Sequence, residues 1–183
     1  MNNSLQNAPY LHLSGVARLA STGLDLSLTA TGMATYDERG TINDAALVLD
    51  RRDHGGQRLR RIVLDLAATL TADVVVVEDL PMHAKSAGLT GQLHGALKYA
   101  MREFELRDPI LAPPATLKKF ATGNGNADKI AMVVAARDRL GYTGTDDNVA
   151  DALWLAQMGL HLISHPNRVK LPALHLSALD KMP

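Results

Sequence analysis

Apolar and polar positions along the chain switch between two periods. Over residues 22–36, Leu24, Leu26 and Leu28 alternate with Asp25, Ser27 and Thr29. That spacing predicts a strand with one apolar face and a polar face carrying Asp25. Gly32 and the small residues beside it predict a bend into a second strand ending at Tyr36. Asp37-Glu38-Arg39-Gly40 reads as a turn, and residues 41–49 as a third strand. The chain therefore opens as an antiparallel meander.

The period then changes. Leu59, Ile62, Val63, Leu66, Ala67 and Leu70 recur at helical spacing over residues 57–70. Four consecutive valines, 74–77, follow and end on Glu78. A run of β-branched residues without alternation predicts a strand buried on both faces, and a helix leading into such a strand implies a crossover and a mixed α/β sheet. Pro81 keeps the strand from continuing. A second helix is expected over residues 90–106, a short strand at 109–112, and a short helix at 115–120 with adjacent Lys118 and Lys119. The loop Thr122-Gly-Asn-Gly-Asn-Ala-Asp-Lys129 leads into a helix reaching about residue 140, and a last helix opens near Asp146 and runs to about 163.

Composition narrows the chemistry. With 183 residues, one domain is the default: an arm over 1–19, a core domain over 20–164, and a tail over 165–183. The absence of cysteine excludes disulfides and thiolate metal sites. No apolar run approaches a membrane span and no secretory leader stands at the start, so a soluble, cytoplasmic protein is expected. The seven histidines lack zinc-binding spacing. Lys plus Arg equals Asp plus Glu, 19 each, so no global basic field points to nucleic acid. Basic residues nevertheless cluster at Arg51, Arg52, Arg58, Arg60 and Arg61, and again at Lys118, Lys119, Lys129, Arg137 and Arg139.

Acids stand where folding does not require them. Asp25 lies within an alternating strand pattern and Glu78 at the carboxyl end of a buried strand, where ligands gather in open α/β sheets. Asp147 and Asp151 are four residues apart on one helix, and carboxylates so close disfavour a helix unless a cation joins them. One of Asp146 and Asp147 is expected to cap that helix, but capping does not account for Asp151. All-oxygen donors suit Mg2+ or Mn2+, and two such ions, roughly 3.5–4 Å apart, can activate water and steady a leaving oxygen at a phosphodiester.

The order of these motifs resembles the RuvC family of Holliday junction resolvases, of the ribonuclease H-like superfamily. The matching stretches are Gly23-Leu-Asp25 through Gly32, the valine run to Glu78, the Thr116 to Lys129 segment and Asp147-Asn-Val-Ala-Asp151-Ala-Leu. The resemblance implies a five-stranded mixed sheet, its first three strands antiparallel, flanked by helices. It implies a homodimer that cuts four-way or other branched DNA with two divalent cations, Mg2+ or Mn2+, at each site. Asp25, Glu78 and Asp151 would hold metal. Asp147 is the favoured fourth ligand and Asn148 the alternative, since the family usually has an acid or His at the position of Asn148. Lys118 or Lys119, with Lys129, would face the scissile phosphate. Lys118, Lys119, Lys129, Arg51, Arg52 and Arg58 are the expected DNA contacts. Where the family commonly has a base-stacking aromatic, this chain has Pro81, Met82 and His83, which brings it closer to phage members with broader branched-DNA activity. The alternatives are a non-catalytic binder of DNA or a partner, and a nuclease acting on RNA–DNA hybrids or flaps.

Overall fold

The valine strand divides the molecule into two cores. In the computed structural model, Val75 and Val77 pack on one side with Leu66, Leu93 and Leu97. Val74 and Val76 pack on the other with Phe120, Trp154 and Leu155. The structure describes residues 19–48, 56–70, 72–80 and 87–182. The strands are β1 (Ser21–Asp25), β2 (Thr31–Tyr36), β3 (Ile42–Val48), β4 (Val74–Glu78) and β5 (Ile110–Ala112). The helices are α1 (Gly56–Thr69), α2 (Ala87–Glu103), α3 (Pro114–Thr122), α4 (Lys129–Leu140), α5 (Asp147–Leu162) and the short α6 (Ala173–Leu176).

The five strands are ordered β3-β2-β1-β4-β5. β1–β2 and β2–β3 are antiparallel, whereas β1–β4 and β4–β5 are parallel, as the pattern of a meander followed by crossovers predicts. The first turn falls elsewhere than expected. Gly32 lies inside β2, paired with Asp25, and the chain reverses between residues 26 and 30. There Thr31 Oγ1 donates to the Ser27 carbonyl (2.6 Å) and accepts from the Ser27 N–H (3.1 Å). α2 begins three residues earlier than its apolar spacing suggests.

Gly32 is needed for packing. A Cβ there would lie 2.0 Å from the carbonyl oxygen of Asn148, and one at Gly23 would lie 2.1 Å from that of Ala152. At Gly159 it would meet Ser21 Oγ at 2.0 Å. Two strand glycines and one helix glycine thus seat α5 directly on β1 and β2, with the Ser21 hydroxyl donating to the Ala156 carbonyl (2.8 Å). Side-chain layers normally hold helix and sheet apart, and their absence here is what brings the first turns of α5 level with the strand ends.

Beyond α5 the chain folds back onto α3. His175 is buried and donates from Nδ1 to the Phe120 carbonyl (2.9 Å). His165, also buried, donates from Nε2 to the Glu38 carbonyl (3.0 Å), tying this segment to the β2–β3 turn.

Candidate active site

Asp25 ends β1 and Glu78 ends β4. The two strands are parallel and paired through Leu24 and Val77, so the next residue of each projects at the same carboxyl edge. Their side chains hydrogen-bond to one another. Asp146 caps α5, its Oδ1 accepting from the N–H groups of Asn148 (2.9 Å) and Val149 (3.2 Å). That leaves Asp147 as the first helical residue, where the helix dipole favours an anion. Asp151 follows one turn on, between the buried residues Ala150 and Ala152.

These carboxyls raise one another's affinity for protons. Burial, then the charges of Asp25 and Asp151, push Glu78 up to about 8. Burial, then Asp25 and Asp147, push Asp151 up to about 7. Asp25 is raised to about 6, chiefly by burial, with the Glu78 hydrogen bond opposing it. Asp25 and Glu78 titrate together, because burial and mutual repulsion disfavour two charges at once. Among the described residues, Asp151 Oδ1 is buried without a hydrogen-bond partner, and a buried orphan oxygen is costly unless a cation or proton meets it.

Two lysines oppose the acids. Lys129, first residue of α4, pairs with Asp147 Oδ2, and its charge reaches Asp25 and Asp151. Lys118 on α3 favours the ionised forms of Glu78 and Asp151. Lys119 offers α3 its carbonyl, which accepts the Gly123 N–H (2.8 Å). Asn148 meets the sheet through its backbone at Gly32.

Hard oxygen donors, an orphaned Asp151 oxygen and mutually raised carboxyls fit a divalent cation. As arranged, however, Asp25 and Glu78 bond to each other and Asp147 to Lys129. Among the described residues, no three acid or histidine side chains form a ready ligand array. Arg58 lies near the start of α1, in the layer across the sheet from α5. Arg51, Arg52, Pro81, Met82 and His83 lie outside the described residues.

Sequence reasoning passed over the loop before α5. The Tyr142 hydroxyl accepts the Asp146 N–H and donates to the Asp146 carbonyl, both at 3.1 Å. Arg137 donates from Nε (3.3 Å) and Nη2 (3.1 Å) to the Gly144 carbonyl. The signal available was a tyrosine four residues before a helix cap.

This sheet order, with carboxylates at the ends of β1 and β4 and at the start of the covering helix, is that of the ribonuclease H-like fold class. Within that class the resemblance to RuvC is borne out. The chain is 29% identical over 157 residues to the crossover junction endodeoxyribonuclease RuvC of Rhodopirellula baltica, spanning 79% of this chain and 87% of the relative. Thermus thermophilus RuvC superposes with a TM-score of 0.65 at 20% identity, over 83% of this chain and 99% of that one. The same protein in complex with Holliday junction substrate gives 0.64 at 21% identity, over 83% and 98%. No family model matches the chain. Among the described residues, no helix is long and apolar enough to cross a membrane.

Proposed function

We propose that this chain is a divalent-metal-dependent crossover junction endodeoxyribonuclease that hydrolyses phosphodiesters in four-way or other branched DNA. The observation that carries the reading is the convergence of Asp25, Glu78 and Asp151 at one edge of the sheet, with Asp147 beside them and Lys118 and Lys129 facing them. Asp25, Glu78 and Asp151, with Asp147 beside them, would hold Mg2+ or Mn2+. When bound, such ions would supply an acidified water and offset charge on the phosphate. Lys118 and Lys129 attract the phosphate backbone and offset the negative charge that develops at phosphorus. Asp146 and Gly32 hold the first turn of α5 in place.

A nuclease that nicks two strands of one junction requires two sites. The fitting surface is a groove of about 560 Å3 between α1 and α2, lined by Leu59, Val63, Leu64, Tyr99 and Phe104. Tyr99 is 67% exposed and Phe104 50%. Arg60 also lines the groove from α1 and Glu103 from α2. A second copy related by a two-fold axis can place each charge against its opposite, which supports this face as the dimer surface.

The deciding experiment is cleavage of labelled four-way junction, three-way, flap, linear duplex and RNA–DNA hybrid substrates with Mg2+ or Mn2+, alongside Glu78→Gln. Paired symmetric nicks in the four-way junction, absent from the variant, are expected. Preferred cutting of flaps or hybrids would replace the substrate assignment, and binding without cutting in either metal would overturn the catalytic one.

A further inference from the structure

We infer that Tyr142 is a positioning residue for the metal site, setting the helical phase of α5 so that Asp147, and not Asn148, faces Asp25 and Asp151. The inference rests on the reading of these acids as metal ligands. One hydroxyl engages both backbone groups of Asp146: it accepts the N–H and donates to the carbonyl, each at 3.1 Å. That carbonyl also accepts the Ala150 N–H (3.2 Å), the first helical bond of α5. The Asp146 side chain in turn holds the N–H groups of Asn148 and Val149. Three of the first backbone N–H groups of α5, those of Asn148, Val149 and Ala150, are therefore held by the residue that Tyr142 grips.

The grip is braced on both sides. A Cβ on Gly144 would lie 2.4 Å from the Tyr142 hydroxyl oxygen, so the loop passes directly over the phenol. Arg137 fixes the same loop through the Gly144 carbonyl. Across the helix, the Asn148 carbonyl bears on Gly32, whose ladder partner is Asp25. Successive helical residues differ by about 100°, so starting α5 one residue out of register would exchange the direction of Asp147 for that of Asn148. A clamp on one side and a glycine seat on the other prevent it.

The test is Tyr142→Phe, which keeps the ring and removes the hydroxyl, with Arg137→Lys as a second variant that keeps charge and loses the fork. Mn2+ binding is titrated by calorimetry, and the Mn2+ dependence of junction cleavage is measured in parallel. Loss of an outer partner of a metal ligand typically weakens metal binding about 10- to 100-fold. For Tyr142→Phe, acting through one intervening residue, we expect about tenfold in both assays, with Tm nearly unchanged and cleavage recovered at high Mn2+. Arg137→Lys should shift both in the same direction by less. Wild-type Mn2+ affinity in Tyr142→Phe, while Asp147→Asn weakens binding, would overturn the role of Tyr142 alone. Undiminished Mn2+ binding by Asp147→Asn would instead overturn the reading of the site beneath it.

Discussion

Asp25 and Gly32 are ladder partners across β1 and β2, and the missing side chain of one lets a helix reach the carboxylate of the other. The Asn148 carbonyl occupies the space a Cβ on Gly32 would need. Gly32→Ala should therefore displace the first turn of α5. Forced overpacking against rigid backbone costs about 1–3 kcal/mol. Denaturant unfolding should show that loss, and Mn2+ affinity should fall with it. A variant as stable as the parent would mean that α5 yields freely at this point.

Glu78→Gln should abolish cleavage without harming the fold. The amide can donate to Asp25 as the protonated carboxyl does, and it removes a charge that burial and two neighbouring acids resist. At pH 8 the variant should be the more stable protein by at least about 1 kcal/mol. Equal stability across pH 5–8 would show that Glu78 is not crowded by its neighbours.

The unligated protein should lose stability as pH rises. Asp25, Asp151 and Glu78 bind protons more tightly folded than unfolded, at about 6, 7 and 8 against ordinary values near 4. For such acids the penalty is absent below the unfolded value, grows as pH rises through the interval, and is complete above the folded value. Between pH 5 and 8, in chelator, the unfolding free energy should drop by at least about 2 kcal/mol. Millimolar Mg2+ should restore part of it. Stability that increased with pH in chelator would contradict the acid cluster.

Lys129→Met should separate binding from chemistry. The ammonium pairs with Asp147, and removing a group that stabilises developing charge typically costs about 10²–10³ in turnover. Junction affinity, spread over many phosphate contacts, should change far less. A proportional loss of both would make Lys129 a DNA anchor only.

Tyr99→Glu should disrupt the proposed dimer and spare the fold. Tyr99 is largely exposed on a single chain, so a charge there is tolerated by the monomer and repelled by an apolar groove. Sedimentation should report a monomer, and any remaining junction cuts should be uncoupled. An unaltered dimer would place the interface on another face.

Local pattern carried most of the fold. Alternation around Leu24, the valine run and the helical spacing of Leu59 to Leu70 are statements about which side meets the core, so they locate the sheet and its layers. The acids were legible because each is anomalous for its element: Glu78 closes an apolar strand, and Asp151 interrupts an apolar helix. What pattern could not supply was the third dimension. Gly32 looked like a bend because glycine in a strand has two explanations, a turn or a close approach, and only the position of α5 distinguishes them. Whether Asp146 or Asp147 caps α5 depends on where the helix starts, which Tyr142 fixes from outside it. The ion pair between Lys129 and Asp147 joins residues from two helices whose packing no periodicity specifies.

The seating of α5 on Gly23, Gly32 and, from its own side, Gly159 has a consequence for transplantation. Copying the four acids onto another scaffold of this fold would not reproduce the site if alanine or valine stood at those three places, because the helix would ride higher by the thickness of a side chain. A faithful graft has to carry the bare seam along with the charges, and a search for related acid sites can use those three glycines as a spatial signature where the acids alone are too common to discriminate.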